Sequence, residues 1–216
     1  MSVPYNDYPE LQPRDTFRFK CQNCGSCCRH VAKSVMVESL DLYRLAEFFN
    51  MDMAEVAERY TEAVTVAWGA PVLMLKTVQP EDACIFLKDG KCGVYSKRPR
   101  ACRLYPLSIG PNDTLKEFLI FNVSGEQHHF QGRWYRAQDW VNDNFQAVDQ
   151  AYVRMEYRAM RECGHIIRRI PQNREGDVLF QMLRWRYVQY EMDQSFLTQY
   201  VHNMQMLKQE LERLAK

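Results

Sequence analysis

The sequence predicts an α+β fold: a small cysteine-rich core with short strands and a β-hairpin, followed by a mainly helical C-terminal half. Seven of the eight cysteines fall in two early groups, Cys21, Cys24, Cys27 and Cys28, then Cys84, Cys92 and Cys102. Short apolar runs bounded by turn residues fill the stretch around the second group, which is strand texture. From about Asp139 onward, apolar residues recur at helical spacing instead. The change in texture divides the chain into a cysteine-rich region, residues 17–125, and a helical region, residues 126–216, packed on it.

Taken in order, Asp41 is placed to cap a helix reaching Asn50, with Leu42, Leu45, Phe48 and Phe49 on its apolar face. Asp52-Met53-Ala54-Glu55 is a capping-box pattern, opening a second helix carried by Val56, Tyr60, Ala63 and Val64 and stopped by Gly69-Ala70-Pro71. Val72 to Val78 reads as a strand. Asp89-Gly90, between the apolar runs Cys84-Ile85-Phe86-Leu87 and Cys92-Gly93-Val94-Tyr95, is a hairpin signal that would bring Cys84 near Cys92. Ser96 ahead of Pro99 suggests a helix start, and Leu115 to Val123 a further strand. Asp139 to Ile170, Asp177 to Met192 and Ser195 to Lys216 read as helices. The last carries a stripe of Leu197, Tyr200, Met204, Leu207, Leu211 and Leu214, which either packs on the chain's own core or forms a seam with a partner.

Composition narrows the function. With 216 residues, 46% of them hydrophobic and 25% charged, the chain can bury a core without covalent staples. A net charge of +1 draws neither nucleic acid nor an acidic membrane surface, so neither is an expected partner. No stretch approaches the ~18–20 apolar residues of a membrane helix. Met1 to Lys20 has no basic segment followed by an apolar one, so the expectation is a cytoplasmic protein. There thiols stay reduced, and dense cysteines point to metal binding rather than disulfides.

Cys21-Gln22-Asn23-Cys24-Gly25-Ser26-Cys27-Cys28 is the strongest motif. Cys-x-x-Cys spacing lets two sulfurs reach one ion, and Gly25 permits the backbone bend such wrapping requires. Cys21, Cys24 and Cys27 repeat at the spacing of a cubane 4Fe–4S cluster, whose remaining ligand comes from elsewhere. The same thiolates could instead supply half of a zinc site, completed by Cys84 with Cys92 or Cys92 with Cys102. Cys163 stands alone and is expected to be a buried small side chain.

Arg29, Arg98, Arg100 and Arg103 lie within a few residues of cysteines. They would offset the crowding of negative sulfurs, or else clamp an anionic group, with Arg98 and Arg103 the candidates for contact with a bound cofactor. His30, two residues past Cys28, is the best-placed histidine, ahead of the His128-His129 pair. In Cys163-Gly164-His165 the two donors diverge by about 200° on a helix unless it breaks at Gly164. The aromatic residues of the tail read as core packing.

The motifs resemble the CxxCxxCC cysteine-cluster family, the YkgJ-like zinc- or iron-chelating domains. Phe19-Lys20-Cys21 through Cys28 resembles its opening and Asp41-Leu42-Tyr43-Arg44-Leu45-Ala46 its first helix. Cys84 to Leu87, Cys92 to Tyr95, and Arg98-Pro99-Arg100-Ala101-Cys102-Arg103-Leu104-Tyr105-Pro106 resemble its closing signature. The resemblance implies that Cys21, Cys24, Cys27, Cys28, Cys84, Cys92 and Cys102 are ligands of an iron–sulfur cluster or zinc. The cluster is also similar to that of flagellin lysine methylases, which implies a second class of function, S-adenosylmethionine-dependent methyl transfer beside a cysteine-bound centre. A third class is a metal-handling protein that meets a protein partner through its C-terminal helices.

Overall fold

A computed structural model describes residues 9–31, 34–65, 70–123 and 125–216; the segment through Tyr8 and the helix stop expected at Gly69 lie outside them. The fold is α+β, with strands gathered into small antiparallel sheets and the helices concentrated in the C-terminal half. The chain runs through β1 (Glu10–Leu11), β2 (Thr16–Phe19), β3 (Met36–Val37), α1 (Ser39–Phe49), α2 (Met53–Tyr60), β4 (Thr61–Thr65) and β5 (Pro71–Leu75). Next come β6 (Thr77–Val78), β7 (Ala83–Cys84), β8 (Leu87–Lys88), β9 (Lys91–Cys92), α3 (Arg100–Leu104), β10 (Leu107–Pro111) and β11 (Phe118–Asn122). It closes with β12 (Arg133–Arg136), α4 (Ala137–Asn144), α5 (Ala147–Ile167), α6 (Glu175–Leu183) and α7 (Phe196–Leu214).

Helix α1 begins before the expected cap. Glu38 is the N-cap, and Asp41 completes a capping box from inside the first turn. Leu42 and Leu45 are buried as the apolar face requires, while Phe48 is exposed. Asp52 does cap α2, its carboxylate accepting the Glu55 N–H at 2.7 Å. That helix stops at Tyr60 instead of continuing through Val64. Thr61, Val64 and Thr65 are β-branched and suit a pleated strand, and β4 pairs with β5 in the register Thr61↔Leu75 to Thr65↔Pro71. The expected strand from Val72 to Val78 divides at Lys76, because β5 pairs with β3 and β4 whereas β6 pairs with β7.

A hairpin forms at the expected turn but is shorter than expected, and Cys84 lies outside it on β7, paired with β6. Leu87 faces Cys92 and Lys88 faces Lys91, leaving Asp89 and Gly90 as a two-residue turn with φ of 48° and 72°. Pro99 caps α3 from outside, because the residue before a proline is driven out of the helical region, and Arg98 has ψ of 141°. The strand expected from Leu115 starts at Phe118, since the Asn112 side chain gathers Thr114, Lys116 and Glu117 into a turn.

The long helix expected from Asp139 to Ile170 is two helices. Phe145 is buried at the break, and Gln146 with Asp149 forms a new capping box for α5. Helix α6 is continued by a π-helical turn, Arg184–Val188, that buries Trp185, Arg186 and Tyr187. On α7, Tyr200, Met204, Leu207, Leu211 and Leu214 are each at most 4% exposed. The stripe therefore lies in the chain's own core, which runs on from α1 and β5 without interruption. Among the described residues, no helix is long and apolar enough to cross a membrane.

Buried ion pairs join the two regions. Arg186 bonds Glu156 at 2.5 Å and the Pro71 carbonyl at 2.7 Å, and Glu156 also accepts the Tyr200 hydroxyl. Asp149 accepts from Arg44 at 2.6 Å and Arg103 at 2.8 Å. Burial pushes the Asp149 carboxyl up, but these two guanidinium partners outweigh it and hold the group below its ordinary value. A folded value below the unfolded one of about 3.9 makes its ionised form stabilising above that pH, and the contribution is lost as pH falls through the folded value. Asp41 runs the other way. Burial and then the Glu38 charge lift it to about 7, so its contribution is present below about pH 4 and is lost as pH rises through 7. Thermal melts of wild type and Asp149→Asn are expected to lie furthest apart near neutrality and to converge below about pH 4. A constant separation down to strong acid would contradict the Asp149 assignment.

Candidate metal centre

The first cysteine group lies on an irregular loop between β2 and β3. Gly25 has φ of 72°, followed by a single 3₁₀ turn, Ser26–Cys28, closed by Cys28 N–H to Gly25 O at 3.0 Å. This loop sits directly on the hairpin that carries Cys92. A β-carbon at Gly25 would lie 2.7 Å from the Gly90 carbonyl oxygen and 2.9 Å from Leu87 Cδ1. The far side is tied down as well: His30 and Val31 donate N–H groups to Glu81 and Asp82, and Arg29 pairs with Glu81 at 2.5 Å. Both anchors flank the segment that holds Cys84.

Cys102 comes from α3, whose arginines position it. Arg100 clasps both Glu38 carboxylate oxygens, at 2.6 and 2.7 Å, while its N–H donates to Asp41 at 2.9 Å. Arg103 donates to Asp149, to the Asn144 carbonyl and to the Arg98 carbonyl. Arg98 is the guanidinium whose charge acts on the thiols, favouring the thiolates of Cys27 and Cys92; it also lies 3.8 Å over the Tyr95 ring. Arg98 is thus held on Tyr95, its charge within reach of Cys27 and Cys92, while Arg100 and Arg103 are taken up in carboxylate pairs.

Cys27, Cys28, Cys84, Cys92 and Cys102 are linked by charge, each acting on at least one other, with Cys27 on the exposed side and Cys84 buried. Cys28 is pushed far up by its hydrogen bond with Cys27, by burial, and by the charges of Cys27, Cys84 and Cys102. Burial, then Cys84, Cys27 and Cys92, push Cys102 up in the same way. Burial also raises Cys84 and Cys92. Cys27 is held at about 7, first because it accepts the Cys28 hydrogen bond, against an opposing burial cost. Cys21, on the exposed rim, lies near Asn23 and adds its charge at Cys92.

Cys24 has different company. Its sulfur lies 3.2 Å from Ser26 Oγ, 3.3 Å from His128 Nε2 and 3.2 Å from His129 Nε2. Hydrogen bonds from Ser26 and then His128 hold this thiol at about 6. The histidine pair ranked behind His30 on sequence is therefore the one that reaches a cysteine sulfur. Sequence proximity misleads here: about a hundred residues separate Cys24 from the pair, and the pairing of β2 with β12, continued by the Lys20 and Gln22 hydrogen bonds to the two histidine carbonyls, brings them together. His30 is exposed, with φ of 54°. Cys163 is fully buried in α5, which continues unbroken through Gly164, and His165 bonds Arg168 instead. The site draws on residues either side of position 125.

A family profile described as "CxxCxxCC: Putative zinc- or iron-chelating domain" matches residues 20–131, just over half the chain. The chain belongs to this family. Its CxxCxxCC region carries a zinc- or iron-chelating domain, with cysteine and histidine donors gathered near one another. An uncharacterized protein of Methanocaldococcus jannaschii is 34% identical over 93 residues, covering 42% of this chain and 46% of that protein. The chain thus spans under half the length of that curated relative. No solved structure matches.

Proposed function

We propose that this CxxCxxCC protein holds an iron–sulfur cluster on its inner thiolates, with Cys27, Cys28, Cys84, Cys92 and Cys102 as the inner donors and Cys21 and Cys24 at the rim. The observation that carries this reading is the seating of the first cysteine loop on the segment that bears Cys84 and Cys92, Gly25 against Gly90 and His30 and Val31 bonded to Glu81 and Asp82. Four thiols resist ionisation because they are half-buried or buried beside one another. Positive charge at their centre removes that penalty, and the thiol protons leave to solvent as it binds. The donor set fits the group. All-thiolate ligation suits iron–sulfur clusters. Arg98 would temper the net negative charge. When bound, such a cluster supplies one-electron transfer or a structural cross-link between the two cysteine groups.

Protein purified without oxygen is expected to be brown and to contain iron and acid-labile sulfide. Colourless protein with stoichiometric zinc and no sulfide would replace the cluster by a zinc–thiolate centre.

A further inference from the structure

We propose that Cys24, His128 and His129 form a second, mononuclear site at the rim, taking one divalent ion of borderline softness, zinc or ferrous iron, through one sulfur and two imidazole nitrogens. It rests on the metal-chelating character of the domain but not on the nature of the inner centre.

The geometry is that of a ligand set. Metal–sulfur and metal–nitrogen bonds of about 2.3 and 2.05 Å at a tetrahedral angle put the two donors about 3.5 Å apart. Cys24 Sγ lies 3.3 and 3.2 Å from the two Nε2 atoms, and all three donor atoms lie within 4.8 Å of one another. Adjacent residues on a 3₁₀ turn ordinarily send their side chains apart, by about 120°. Here the rings lie side by side, 4.2 Å between centroids, and both present Nε2 to one sulfur.

The turn is held at both of its histidines. Lys20 N–H donates to the His129 carbonyl at 2.9 Å, and the Gln22 side chain donates to the His128 carbonyl at 2.9 Å. Both anchors belong to the segment that leads into Cys21 and Cys24. His129 is 3% exposed, packed edge-on against Phe19 and Tyr105. Its Nδ1 lies 3.3 Å from the Tyr105 hydroxyl, which also accepts the Glu126 N–H. An outer oxygen partner on Nδ1 is how ligating histidines are oriented, leaving the Nε2 lone pair for the ion. Three protein donors beside an exposed sulfur leave the fourth position to water or to a small incoming donor. Cys24 binds as the thiolate, and any proton it still carries goes to solvent.

The test uses the full chain, purified without oxygen and titrated with zinc alone, read by zinc content and zinc-edge X-ray absorption. Wild type should take up one zinc whose spectrum shows imidazole scattering. His128→Gln/His129→Gln should lose that one equivalent and the imidazole signal, while keeping its sulfur-bound metal. A wild-type spectrum without imidazole scattering would overturn the proposal whether or not the variant folds. So would a double variant, or His128→Gln alone should the double variant fail to fold, that keeps both the equivalent and an unchanged signal. Imidazole-bound zinc in a protein lacking inner metal would sink the inner-centre reading and leave this site standing.

Discussion

Gly25→Ala is expected to strip most of the metal from the protein while leaving the helical half folded. Two penalties coincide at this position. The residue sits at φ of 72°, a region that costs an L side chain roughly 1–2 kcal/mol. The added methyl would also lie 2.7 Å from the Gly90 carbonyl oxygen, and backbone in a two-residue hairpin turn has little room to retreat. The loop must then lift off the hairpin, separating Cys27 and Cys28 from Cys92. Gly90→Ala is the control that divides the two effects: it has the same φ of 72° but nothing within 4 Å of an added β-carbon. It should cost stability by about 1 kcal/mol and keep its metal. Metal content after anaerobic purification, with far-UV circular dichroism for the helices, reads both variants. Equal retention in the two would remove the docking argument.

The second large effect is expected at Arg100. Its bidentate pair with Glu38 is nearly enclosed, with side chains 11% and 9% exposed. Removing one partner of a buried pair leaves the other charge uncompensated, typically at a cost of about 3–5 kcal/mol. For a chain of this size that corresponds to a melting point lower by roughly 6–20 °C. Arg100→Met should show this fall, and should also loosen α3 and so weaken metal retention at Cys102. Adding Glu38→Leu removes the stranded carboxylate and should recover much of the melting point. A double variant as unstable as the single one would show that the arginine acts by something other than charge pairing.

The two arginines also illustrate what was legible in the sequence. Their closeness to cysteines was plain, and so was the cysteine pattern, because ligand spacing is a local property. The Asp89-Gly90 turn was equally plain, since its chemistry requires positive φ at two consecutive residues. What Arg100 and Arg103 face was not legible, because Glu38 and Asp149 lie far away along the chain on other elements. The end of α2 was misread for a related reason. Ala63 and Val64 satisfy a helical spacing, and only the strand they pair with decides otherwise. The histidine pair is the clearest case: no sequence spacing links it to Cys24, and a sheet of two short strands does.

The supports of the centre are scattered in a way that sets a timetable for its assembly. During synthesis the Cys21 to Cys28 loop emerges ahead of the other donors, with four thiols and no counterpart. The hairpin that it rests on follows, then α3 with Cys102, and only afterwards the His128-His129 turn. Asp149, which pins Arg103 and hence α3, arrives later still, at the start of α5. Contacts this far apart in sequence form late. The donors and their supports therefore span Cys21 to Asp149, so a full set waits on that whole stretch, and the thiols made first must be kept reduced until it has been built.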